Sequence, residues 1–145
     1  HSLITVNIAA ELKSRLRGTP CRPGSADLRV LIPSGNVRYP DVTVDCGEFR
    51  PNSNNASEPR VVFEVLSKST AWVDLHDKLR DYERTPTIQH YVIVTQNAAK
   101  VVVWTRTPHG HLVPGDDVTG LAAEITLSAL GLSLPLSALY DGLPL

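Results

Sequence analysis

Apolar residues near the start of the chain recur every four positions, at Ile4, Ile8, Leu12 and Leu16, while Lys13, Arg15 and Arg17 fall mostly off that line. This is the stripe of an amphipathic helix over 2–17. Gly18-Thr19-Pro20 supplies its stop, because glycine can take the left-handed cap conformation. The pattern then changes. A strand is predicted over 27–32, closed by the turn Pro33-Ser34-Gly35-Asn36. Residues 38–46 alternate, with Val42 and Val44 on one face and Asp41, Thr43 and Asp45 on the other. Residues 51–59 are polar and rich in chain-breaking residues, and they read as a loop. Val61-Val62-Phe63-Glu64-Val65-Leu66 reads as a central strand buried on both faces. Ser67-Lys68-Ser69-Thr70 offers capping residues for a helix that runs to about residue 84 and ends at Thr85-Pro86. Two strands at 91–94 and 101–104, joined by Gln96-Asn97-Ala98-Ala99, form a predicted hairpin. Ile125, Leu127 and Ala129 alternate like a half-buried strand, and 134–140 reads as a short closing helix with Pro135 in its first turn. A helix, three strands, a helix and further strands make one α/β domain over 1–145.

Composition narrows the class. The chain has 145 residues, 42% hydrophobic and 20% charged, which suits a soluble globular domain with a real core. No apolar run approaches the ~20 residues of a membrane-spanning helix, and 1–4 carry no secretory leader. Cytoplasmic residence and no membrane partner are the expectations. The chain contains no Met, so functional residues ahead of His1 are an open matter. Two cysteines, Cys21 and Cys46, match no metal spacing, and a reducing compartment with free thiols is expected over a disulfide scaffold, although a Cys21–Cys46 bridge stays open. The net charge of −1 argues against a basic nucleic-acid coat. Its distribution is uneven, however: residues 1–38 hold six basic side chains against two acidic ones, and 39–64 hold five acidic against two basic. A basic shoulder beside an acidic centre suits a phosphate approaching a metal.

Glu64 breaks an otherwise apolar strand. A buried carboxylate without a partner costs several kcal/mol, so a cation, a metal or a raised pKa is expected beside it. Asp41 begins the preceding strand, and two carboxylates on neighbouring strands can hold Mg²⁺ or Mn²⁺, with waters filling the remaining positions. Such an ion polarises a phosphoryl oxygen and acidifies a water. Lys78 lies between Asp74 and Tyr82 on the helix, beside the stripe of Leu75, Leu79 and Tyr82, within reach of a strand end. There it could stabilise a phosphate or orient a water. Lys68 competes for that role, since strand alternation puts 64, 66 and 68 on one face.

Plainer readings stand beside these. Asp41 could cap a turn after Pro40, and Glu64 could pair with an arginine such as Arg38. Asp74 and Lys78 could form an ordinary i,i+4 pair worth about 0.3–0.5 kcal/mol, and Lys68 could be a solvated loop residue. His76, His90, His109 and His111 show no zinc-ligand spacing. Ser67 lacks the glycine-rich elbow of a hydrolase nucleophile. Trp72 and Trp104 read as packing residues, although an exposed Trp72 could stack on a base.

The ordered set Arg38-Tyr39-Pro40-Asp41-Val42-Thr43-Val44, then Val62-Phe63-Glu64-Val65-Leu66-Ser67-Lys68-Ser69-Thr70, then Asp74, Lys78 and Tyr82, then Tyr91-Val92-Ile93-Val94, resembles the Uma-type restriction-endonuclease family within the PD-(D/E)XK nuclease superfamily. The resemblance covers about 1–140. It implies a restriction-endonuclease-like α/β core, a mixed central β-sheet flanked by helices, and a Mg²⁺-dependent nuclease acting on DNA, with a homodimer allowed. It makes Asp41, Glu64 and Lys78 the catalytic set, with Asp41, Glu64 and the backbone carbonyl of Val65 as metal ligands. Asp74, Ser67, Lys68 and Tyr82 are supporting candidates. There are departures. Leu66 stands where the superfamily places its lysine, a role that the Uma-type pattern moves to the helix, at Lys78. Lys68 stands where the family usually has proline. Family members also carry more chain ahead of His1, including an acidic stretch. Two alternatives follow: a nuclease-fold module that binds nucleic acid without turnover, and a structural subunit in which arginine pairs with Glu64.

Overall fold

The computed structural model of the chain describes residues 1–67 and 72–145. Helix α1 (Ser2–Arg15) buries Ile4, Ile8, Leu12 and, just past its end, Leu16, which is the full predicted stripe. Each such burial contributes about 1.5–3 kcal/mol. Gly18 follows with φ +78°, the left-handed conformation the stop requires.

The main sheet comprises β1 (Arg22–Gly24), β4 (Val42–Asp45), β5 (Pro59–Leu66), β6 (His90–Thr95), β7 (Lys100–Arg106) and β8 (Leu112–Pro114), in that spatial order, with β9 (Val118–Thr119) also on β7. β5 and β6 run parallel, joined through helix α2 (Trp72–Glu83), and the other described neighbours are antiparallel, so the sheet is mixed. The predicted hairpin at 91–104 is β6–β7. Two small antiparallel pairs lie off this sheet: β2 (Val30–Leu31) with β3 (Val37–Arg38), and β10 (Glu124–Leu127) with β11 (Leu132–Pro135), the latter leading into α3 (Leu136–Leu139).

Strand alternation divides the core in two. Val61, Phe63 and Val65 point, with Val42, Val44, Val92 and Val94, into a cluster closed by α1, α3 and the β10–β11 pair. Val62 and Tyr91 point the other way, into a cluster with Tyr82 of α2, Val30, Ile32, Ile88 and Leu112. Glu64 shares that second face, beneath α2. The observed architecture is therefore a mixed sheet between helical layers, as expected.

Three sequence expectations are corrected, and one strand carried no sequence signal. Arg22-Pro23-Gly24 has no strand propensity, yet it forms the edge strand β1, paired along β4 as Arg22↔Asp45, Pro23↔Val44 and Gly24↔Thr43; proline is tolerated at an edge. The strand expected at 27–32 is only the two residues of β2, in a side hairpin. The strand expected at 38–46 divides at 39–41 into β3 and β4, because Pro40 has no N–H to donate. Both faces of β4 are buried, Thr43 and Asp45 included. Finally, Cys21 and Cys46 form a disulfide, which fastens the approach to β1 onto the end of β4. The bridge removes the argument from free thiols to a reducing compartment. Among the described residues no helix is long and apolar enough to cross a membrane.

His90 opens β6 almost fully buried. Its Nε2 accepts the Ala129 N–H at 3.1 Å, and its Nδ1 lies 3.1 Å from the Thr105 hydroxyl. Burial lowers its pKa from the ordinary 6.5, so the folded protein holds a neutral ring with Nε2 as acceptor. The unfolded chain takes up the proton first, so stability is lost as pH falls through 6.5 toward the lower folded value. The contribution of His90, read as the wild-type thermal midpoint minus that of His90→Gln, should shrink between about pH 7.5 and 5.5. His90→Gln should melt lower than wild type at about pH 7.5, by a gap that narrows as pH falls. Parallel pH curves for the two proteins would refute the assignment.

Candidate active site

The last described pair between β4 and β5 is Val42↔Phe63, so the next step out sets Asp41 opposite Glu64 on the α2 face. Asp41 precedes β4, freed from the ladder by Pro40. Its Oδ2 accepts the Val65 N–H at 2.7 Å, extending the strand pairing with a side chain. The same Oδ2 lies 3.4 Å from His1 Nε2.

Helix α2 supplies the other half. Asp74, Lys78 and Tyr82 are spaced by four residues, so they line one stripe above Glu64. The Tyr82 hydroxyl donates to Glu64 Oε1 at 2.9 Å, and Lys78 Nζ lies 3.6 Å from Glu64 Oε2 and 3.3 Å from Asp74 Oδ2. The two oxygens of Glu64 are thus divided, one to a neutral phenol and one to an ammonium. Behind them Tyr91 packs edge-on to Tyr82, with centroids 4.9 Å apart. The Tyr91 hydroxyl is buried with no hydrogen-bond partner among the described residues.

Burial dominates the electrostatics. It pushes the Glu64 carboxyl up, against the opposing pull of the Lys78 ammonium and the Tyr82 hydroxyl, and the charge on Asp41 adds to the rise. Burial also pushes Asp41 up, against the Val65 amide and Lys78. Tyr82 is raised far above the usual phenol range, first by burial and then by Glu64, and it therefore stays a donor. The local compensation is incomplete: both acids still resist ionisation.

The structure brings together Asp41, Glu64, Val65, Asp74, Lys78 and Tyr82. Ser67 follows β5, exposed, at a cavity of about 490 Å³ also lined by His1, Leu66 and Gln96. Lys68 lies outside the described residues. The pairing of Glu64 with Arg38 is corrected: Arg38 Nε donates to Asp81 at 2.7 Å, a carboxylate that Asn36 also contacts. His1 and Tyr91 were not among the sequence candidates. Tyr91 could have been found by alternation, since it and Ile93 share the face of Glu64; nothing in the pattern marked His1.

Among the described residues no three His, Cys, Asp or Glu side chains converge as a metal cluster. Two carboxylates remain, which is the protein contribution that suits Mg²⁺ with its retained waters.

Because the folded pKa of Glu64 is raised above 4.5, stability is lost as pH rises through 4.5 toward the folded value. Without metal, Glu64→Gln should therefore melt higher than the wild type at about pH 7.5, and the gap should close near pH 4. Tyr82→Phe should melt lower at about pH 7.5, by roughly 1.5–3 kcal/mol, since a buried carboxylate loses its donor. A Glu64→Gln protein no more stable than wild type in thermal scans would contradict this reading.

Residues 1–137 match the Uma2 family, described as "Putative restriction endonuclease". Two uncharacterized proteins of Synechocystis sp. are similar. One, slr1290, is 29% identical over 99% of this chain and 75% of its own length. The other, sll1609, is 31% identical over 70% of this chain and 59% of its own length. In fold, the chain resembles the crystal structure of "a putative nuclease belonging to DUF820" from Anabaena variabilis, with a TM-score of 0.77 and 15% identity, over 97% of this chain and 80% of that one. With nearly its whole length matched, this chain belongs to the Uma2 family.

Proposed function

We propose that the chain is a Mg²⁺- or Mn²⁺-dependent nuclease that hydrolyses phosphodiester bonds in DNA. One observation carries the reading: two acids with raised pKa values, Asp41 just ahead of β4 and Glu64 on the adjacent β5, lie opposite one another, and Lys78 Nζ lies 3.6 Å from Glu64 Oε2. An acid pair that resists ionisation, with a cation only partly offsetting it, is a site short of positive charge. A divalent ion supplies that charge. Family membership and the fold likeness support nuclease chemistry.

In this reading Asp41 and Glu64 hold the ion, with the Val65 carbonyl as a third ligand. When bound, the ion supplies Lewis acidity to a phosphoryl oxygen and lowers the pKa of a water. Tyr82 fixes Glu64 Oε1, which leaves Oε2 facing Lys78. Lys78 stabilises charge developing on the phosphate, and Asp74 holds its ammonium in place. Ser67 is a supporting group in this reading, and so is Lys68, which lies outside the described residues. A homodimer is part of the proposal, because β1 and β8 end the sheet order with no further strand paired to them among the described residues. Sedimentation should then find a species heavier than 15.8 kDa.

The second reading is a module that binds nucleic acid without turnover. Leu66 favours it, since the strand lacks a lysine two residues after Glu64. Cleavage of plasmid and single-stranded DNA with Mg²⁺ or Mn²⁺ separates the two. The wild type should cut, and Asp41→Ala should not. Lys78→Ala should be slower by about 10²–10³-fold. Lys78→Arg should also fail, because a planar fork does not replace a point charge. If Lys68→Ala is dead while Lys78→Ala is active, the functional lysine is Lys68. A wild type that never cuts favours the binding module.

A further inference from the structure

A cleft of about 260 Å³ separates the β2–β3 turn from the outer face of α2. Arg38, Arg80 and Arg84 line it, with Ser34, Asp77 and Asp81. The charges are not equivalent. Asp81 is buried and already taken by Arg38 Nε at 2.7 Å and by the Asn36 amide. Arg80 and Arg84 are exposed and one helical turn apart, and among the described residues neither has a carboxylate within ion-pair distance. Asp77, exposed at the same cleft, offsets one of them. Formally, one positive charge remains, which matches one phosphodiester anion.

The position of the cleft relates it to the candidate site. Arg38 lies three residues before Asp41, on the segment leading into β4. Arg84 is about 9 Å beyond Lys78 along the helix axis. A duplex strand carries a phosphate about every 3.4 Å of axis, so a strand cut beside Lys78 has phosphates within a few nucleotides of the cleft. Two guanidinium forks suit a phosphate's paired oxygens, and Ser34 adds a neutral hydroxyl at the rim.

We infer that the Arg80–Arg84 cleft holds one backbone phosphate of the nucleic-acid strand, a few nucleotides from the cleaved bond. This rests on the nuclease reading for its register, but its test does not need turnover. The cleft positions the strand and reads no sequence, because phosphates carry none.

The experiment measures binding of a fluorescent DNA duplex by anisotropy, without divalent cation, from 50 to 200 mM NaCl. Wild type, Arg80→Ala/Arg84→Ala and Arg50→Ala are compared; Arg50 is exposed after β4, outside the basic segment 1–38, and does not line the cleft. The double variant should bind about tenfold more weakly at 50 mM, the loss of one charge-assisted contact. Its slope of log K against log [salt] should be shallower by about 0.9, one phosphate fewer. Arg50→Ala should match wild type. Far-UV circular dichroism confirms that each variant is folded. An unchanged slope in the double variant overturns the inference, as does a wild type that binds no duplex at 50 mM. Hydrolysis of bis(4-nitrophenyl) phosphate by the wild type with Mn²⁺ tests the nuclease reading separately. Hydrolysis with an unchanged slope sinks the cleft alone, and a lost slope without hydrolysis sinks turnover alone.

Discussion

A carboxylate on a middle strand, under a helix and away from bulk water, demands compensation, and the compensation available to Glu64 organises its surroundings. Both neighbours of β5 are hydrogen-bonded strands, so the strand cannot shift to expose the acid. Relief must come from above, and α2 provides it with Tyr82 on one oxygen and Lys78 near the other. Those contacts fix the rotation of α2, because a residue spacing of four is what carries Asp74, Lys78 and Tyr82 over one point. The helix is therefore placed by polar as well as apolar contacts: Tyr82 packs in the core and donates to the acid at the same time. The relief is partial, since burial still holds the Glu64 carboxyl above the ordinary range, and the proposed cation binding builds on that remainder.

Comparison with Asp45 shows what sets Glu64 and Asp41 apart. Asp45, at the end of β4, is buried as Glu64 is. Burial pushes its pKa up too, but the N–H groups of Gly47, Ser57 and Glu58 donate to it, and Arg22 lies near, so the net effect is a lowered pKa. Its charge is satisfied, and it closes the turn at the end of β4. Asp41 receives one backbone N–H, and Glu64 receives none that is described. The difference between a structural and a candidate functional acid therefore lies in how much donor capacity the backbone spends on each.

Much of this was legible in the sequence, for physical reasons that differ by element. Helix α1 declared itself through a four-residue stripe, and β5 through β-branched residues around one acid. Lys78 could be placed by helical geometry alone, because its neighbours Leu75, Leu79 and Tyr82 defined the buried side. Other features had no local signal. β1 is held by pairing with β4 and by the Cys21–Cys46 bridge, so its residues need no strand propensity. Arg38 looked free to meet Glu64, but its distance to Asp81 depends on the side hairpin β2–β3, whose existence rests on tertiary contacts. Alternation separated Val42 and Val44 from Thr43 and Asp45, but it reports only two faces and not which is covered, and here both are.

The central claim is that Asp41 and Glu64 form one site short of positive charge, and calorimetric titration with Mn²⁺ and Mg²⁺ tests it most directly. The account predicts saturable binding of one ion to the wild type, abolished in Asp41→Ala and strongly weakened in Glu64→Gln, with the heat growing as pH rises and the acids ionise. Equal binding by wild type and Asp41→Ala, or no binding of either ion at millimolar concentration, would contradict it.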